Sequence, residues 1–188
     1  MADIIDVANY ILEISREESP DDDYDLITPM KLQKLVYFCQ GYFLALNGTP
    51  LFSEPIEAWD HGPVCPTLYH LFKRYGSSPL VATIDPKRIM LSELEKHIIG
   101  MVYNSYKQYS PSGLRNITHR EGPWSDTRKN TIIHPEAMLK YFESLIEVNP
   151  ADIPLSTDDE KNELITILEK AETDGEINLS QFRIPVGA

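Results

Sequence analysis

Apolar residues recur at helical spacing through most of the chain. Ile4, Val7, Ala8, Ile11 and Leu12 share one face of a helix that opens near Asp3 or Asp6 and ends before an acidic run. A stronger pattern follows. Leu32, Leu35, Val36, Cys39, Phe43 and Leu46 form one stripe, with Thr28 suited to cap its start, Pro29 at the first helical position and Asn47-Gly48 at its end. At 3.6 residues per turn this predicts a buried helix of about five turns. Tyr37, Phe38 and Tyr42 widen the apolar surface beyond the stripe, so the helix is expected to pack on two sides.

Beyond a loop containing Pro50 and Pro55, Ile56-Glu57-Ala58-Trp59 alternates and predicts a short strand. Gly62-Pro63 reads as a turn. Pro66 starts a helix with Leu68, Leu71, Phe72 and Tyr75 on its apolar face, closed by Gly76. Trp59, Asp60 and His61 then fall at a junction between strand and helix, where backbone geometry holds side chains for recognition. Ser92 and Glu95 have capping-box spacing ahead of Leu94, Ile98, Met101, Val102 and Tyr106. Ser110-Pro111-Ser112-Gly113 breaks that helix. A shorter one with Leu114, Ile117 and Thr118 leads into His119-Arg120-Glu121-Gly122-Pro123-Trp124, and Pro135 opens another with Met138, Leu139, Phe142 and Leu145. The expected class is mainly α, a compact multi-helix domain over residues 1–148 with a minor short β element.

The composition changes at Asn149-Pro150. Residues 151–188 hold nine acids and three bases. Thr157 and Glu160 can cap a helix over about 158–172 bearing Leu164, Ile167, Leu168 and Ala171, which Gly175 ends. Phe182, Ile184 and Val186 then alternate as a strand or an extended peptide. Residues 149–188 therefore read as an acidic C-terminal appendage, helical and then extended, which can dock on the body or reach a partner.

Charge narrows the function. The 188 residues carry 29 acids against 17 bases, a formal charge of −12. Phosphate neutralisation needs a surplus of Lys and Arg, so strong nucleic-acid binding by the isolated chain is not expected, and the helices at Pro66–Tyr75 and Ser112–Thr118 lack a basic recognition face. A basic protein partner suits the charge better. Six of the nine residues from Glu17 to Asp25 are acids, a solvated loop or a docking strip. The first residues, Met1-Ala2-Asp3-Ile4, show neither a basic n-region nor an apolar h-region, and no stretch suits a membrane span; a cytoplasmic protein is expected. Cys39 and Cys65 match no ligand or redox spacing and read as free buried thiols.

Asp60, His61, His119 and Glu121, with Ser110, Ser112 and Ser125, supply base and nucleophile types. No G-x-S-x-G elbow, H-E-x-x-H pair, Walker A loop or G-x-G-x-x-G accompanies them. His61, His70, His97, His119 and His134 lack metal-ligand spacing. No enzymatic activity, metal or cofactor is expected.

Two segments carry a family resemblance. Thr28-Pro29-Met30-Lys31-Leu32-Gln33-Lys34-Leu35-Val36-Tyr37-Phe38, followed by Glu57-Ala58-Trp59-Asp60-His61-Gly62-Pro63-Val64 and Leu68-Tyr69, resembles the Panacea domain, the SocA-like antitoxin family that includes phage-associated GepA-type proteins. Leu114 through Thr118-His119 to Glu121-Gly122-Pro123-Trp124 resembles the later motif of that family, in the expected order. The resemblance spans roughly residues 5–145 and implies a helical antitoxin that neutralises a cognate protein toxin by direct binding. Other readings it leaves open are an adaptor delivering the toxin to a cytoplasmic ATP-dependent protease, and a prophage-encoded host-interaction protein without a toxin. Under the leading reading the acidic charge steers a basic toxin, while apolar anchors supply affinity. The candidate toxin contacts are Trp59, Asp60, His61, His119 and Trp124.

Overall fold

The computed structural model describes residues 1–18, 27–80 and 89–145. The first helix runs through Glu17 and Glu18 and so includes the start of the acidic run expected as a loop; the rest of that run and the expected appendage at 149–188 lie outside the described residues. Within them the chain is mainly helical: α1 (Ile4–Glu18), α2 (Pro29–Asn47), β1 (Glu57–Trp59), β2 (Gly62–Val64), α3 (Pro66–Phe72), a 3₁₀ turn (Lys73–Tyr75), α4 (Glu93–Tyr106), α5 (Pro111–Thr118), α6 (Gly122–Ser125) and α7 (Pro135–Leu145).

Helix α2 is the axis of the fold. It packs against α1, α3, α4, α5, α7 and β2, and every residue from Lys31 to Leu46 is buried. Its ends follow the sequence signals. The Thr28 hydroxyl accepts from the Lys31 amide at 3.3 Å, and Gly48 closes the helix at φ +69° with its N–H on the Leu44 carbonyl. Gly41 sits where Phe142 of α7 crosses, and a Cβ there would overlap the Phe142 ring. An aromatic cluster fills the same space: Phe142 meets Tyr37 and Tyr42 edge-on, and Phe38 stacks on Tyr106 at 4.0 Å.

Two buried glutamines stand in for backbone partners. Gln33 accepts from the Cys65 amide at 2.7 Å and donates to the Cys65 carbonyl at 3.2 Å. Gln40 accepts from the amides of Leu51 and Phe52 and donates to the Phe52 carbonyl. Each ties irregular chain to α2 and pairs backbone groups that burial would otherwise leave unsatisfied.

Several boundaries differ from the expectations. Gly62-Pro63 is not a turn; it forms β2, antiparallel to β1, with Ala58 opposite Pro63 and Trp59 opposite Gly62. Trp59, Asp60 and His61 therefore lie at a hairpin bend, not between a strand and a helix. Pro63 is tolerated because β2 is an edge, the other side of β1 being covered by residues 130–133 through Ala58 N–H to Thr131, Asn130 N–H to Ala58 and Ile133 N–H to Ile56. Helix α5 begins at Pro111, with Ser110 as its cap accepting from the Gly113 amide at 3.0 Å. Leu71, expected on the buried face of α3, is 40% exposed. Both cysteines are buried and unpaired by disulfide, as the spacing implied.

Candidate functional site

The hairpin bend is built around one glycine. Asp60 and His61 keep negative φ, and Gly62 takes φ +99° to return the chain. A Cβ at Gly62 would lie 2.7 Å from Lys34 Nζ and 2.8 Å from Thr118 Oγ1, so this backbone is pressed against α2 and α5. The bend projects Asp60 and His61, both exposed, beside a groove of about 430 Å³. Trp59, Val64, Tyr69, Pro29 and Met30 supply its apolar wall. Lys34, Lys73, His61, Asp60 and Gln33 supply its polar groups.

Trp59 is held by its own strand. Its indole N–H donates to Glu57 Oε2 at 2.8 Å, and its ring meets Tyr69 edge-on at 4.8 Å. Trp124 braces the hairpin from α6 instead, its indole N–H donating to the Trp59 carbonyl at 2.9 Å. The Trp124 ring is covered on both sides, by the His119 imidazole stacked at 3.8 Å and by Lys129 Nζ 2.9 Å from its centroid. Burial first, then the charges of Arg115, Lys129, Lys34 and His61, hold His119 below the ordinary histidine range. Its neutral ring suits stacking, and its buried Nε2 has no hydrogen-bond partner among the described residues.

All five expected residues thus gather around one hairpin. Trp59, Asp60 and His61 line the groove, whereas His119 and Trp124 stand behind it. The serines do not join them: Ser110 and Ser112 bond to each other at 3.1 Å, and Ser125 donates to Asp126. No group of three or more His, Cys, Asp or Glu side chains that could hold a metal ion occurs among the described residues. Nor, among them, is any helix long and apolar enough to cross a membrane.

Two buried ionisable groups adjoin the site: Lys34, which the sequence did not single out, and Glu121, which it offered as a base type without showing its burial. Lys34, 1% exposed, donates from Nζ to the Pro63 carbonyl at 2.8 Å. Burial, with the Arg115 charge second, lowers its ammonium to about 7. Glu121, 4% exposed, accepts from the Tyr37 hydroxyl at 2.9 Å, and burial raises its carboxyl to about 7, a shift the hydrogen bond only partly offsets. The available signal was positional: Lys34 sits between Leu32 and Leu35-Val36 of the apolar stripe, and Glu121 precedes the turn Gly122-Pro123.

The hairpin, the Trp124 brace and most of the groove lining fall within one matched region. The profile of the SocA-like antitoxin family, Panacea domain, matches residues 32–125, half of the chain, and the chain belongs to that family. It is similar to the antitoxin SocA of Caulobacter vibrioides (strain NA1000 / CB15N), with 38% identity over 74 residues. That match covers 39% of this chain and 35% of the curated relative, about a third of its length. No solved structure matches.

Proposed function

We propose that this protein is an antitoxin that neutralises a cognate protein toxin by binding it through the β1–β2 hairpin and the adjoining groove. The observation that carries the reading is that the family-matched segment supplies most of this groove's lining, with a half-buried Trp59 held in place and two exposed polar residues at its rim. Such a surface suits recognition: a fixed aromatic anchor beside hydrogen-bonding groups, the pattern of binding hot spots. The overall charge of −12 speeds encounter with a basic partner at low salt. Neutralisation by occupation needs no bond chemistry from His61 or His119.

Co-expression with the product of the adjacent gene tests this. Wild-type chain relieves the growth arrest and co-elutes with that product, while Trp59→Ala loses both although it remains folded by circular dichroism. Absence of rescue and of any complex with the wild-type chain would contradict the reading.

A further inference from the structure

We infer that the groove takes an acidic segment of the partner protein, an apolar side chain against Trp59 and Tyr69 and a carboxylate directed to Lys34 and Lys73. This rests on the antitoxin reading above and specifies the chemistry of its contact. The negative charge of the molecule lies at its two ends. Residues 1–26 hold nine acids and one base, and residues 146–188 hold ten acids and three bases, whereas residues 27–145 hold ten acids and thirteen bases, a net of +3. The portion that builds the groove is thus mildly basic within an acidic protein.

The groove itself shows the same imbalance. Lys34, Lys73 and His61 line it, against the single carboxylate of Asp60. Arg115 and Lys129 stand close enough to act on His119 together with Lys34 and His61, so several positive groups surround one hairpin. Lys34 is the distinctive member. It is withdrawn from water, its hydrogen-bond partner is the uncharged Pro63 carbonyl, and the ion pairs among the described residues do not include it. A desolvated ammonium without a counter-charge is costly, and a carboxylate entering beside it relieves that cost where water screens least.

The apolar wall decides between peptide and phosphate. Val64, Pro29, Met30 and Tyr69 offer surface for an apolar side chain, which a peptide carries beside its carboxylate and a phosphate backbone does not, while Asp60 and the charge of −12 oppose a run of several phosphates more than a single carboxylate. The occupant is therefore a peptide segment carrying Asp or Glu next to an apolar residue. A partner can be basic overall, as long-range steering favours, and still present such a segment to the groove.

The experiment uses the full chain and three short synthetic peptides with blocked ends, carrying Glu, Gln or Lys between two leucines, and a DNA duplex as a fourth probe. Tryptophan fluorescence and amide NMR shifts report groove occupancy. The Glu peptide is expected to shift groove amides and bind about tenfold more tightly than the Gln peptide, with the Lys peptide weaker still. Lys73→Glu and Lys34→Met should each erase the Glu-over-Gln preference; Lys73 lies at the rim and is exposed, so its variant tests the idea even where Lys34→Met unfolds. In the complex with the adjacent gene product, Lys73→Glu should weaken binding about tenfold while Lys140→Glu, on α7 outside the groove, leaves it unchanged. Equal binding of Glu and Gln peptides, preference for the DNA, or a complex indifferent to Lys73→Glu would overturn the inference. Failure of the wild-type chain to bind the gene product, with the Glu preference intact, would count instead against the antitoxin reading.

Discussion

Gly62 is where backbone and site meet. Its φ of +99° is one that residues with a Cβ rarely adopt, and the space a methyl would need is held by Lys34 and Thr118. Gly62→Ala is expected to cost about 2–4 kcal/mol, read as a fall in the denaturant midpoint, and to release the groove wall with it. Glu121 makes a second prediction, in pH. In the folded chain its carboxyl titrates near 7, against an ordinary value of 4.5, so the folded state keeps a proton that the unfolded chain has released. Its contribution to stability is complete below about pH 4.5 and lost as pH rises through about 7. Lys34 runs oppositely, its contribution complete above about 10.5 and lost as pH falls through about 7. Glu121→Gln isolates the first effect: the variant should match wild type near pH 4 and exceed it above pH 7 by at most roughly 3 kcal/mol. A stability difference independent of pH would show that Glu121 is not buried as described.

At the scale of elements, helices were legible because a 3.6-residue period and their caps are local signals. Thr28, Ser92 and Gly48 mark ends that the structure reproduces. The hairpin was not. Pro63 argues against a strand, and only the distant cover of β1 by residues 130–133 shows why a proline is tolerated opposite Ala58. Site residues divided in the same way. Trp59, Asp60 and His61 could be picked out as polar and aromatic groups at a bend, and Glu121 as a base type, while the burial of Lys34 and Glu121 could not, because charged residues are seldom buried and their position beside apolar residues or a turn is only a weak sign of the exception. Gln40 was likewise invisible: its two acceptor contacts and one donor contact join residues 11 and 12 positions away. Gln40→Leu should leave the Leu51 and Phe52 amides unpaired in the interior and lower stability by about 2–4 kcal/mol, measurable by urea unfolding. A change below about 0.5 kcal/mol would mean that this loop is anchored otherwise.

In the whole molecule, labour divides between a rigid helical scaffold and one hairpin. Helix α2 buries its entire circumference, α6 braces the Trp59 carbonyl through Trp124, and the groove opens on the remaining side. The charge has the opposite arrangement, acidic at both ends and mildly basic between, so distant attraction and local recognition need not favour the same sign. The most direct test is calorimetric titration of the purified chain with the adjacent gene product, wild type against Trp59→Ala. A saturable complex is predicted, which the substitution weakens by at least roughly tenfold, the loss typical of an anchor aromatic. Undiminished affinity in a folded Trp59→Ala chain would place the proposed contact on some other face.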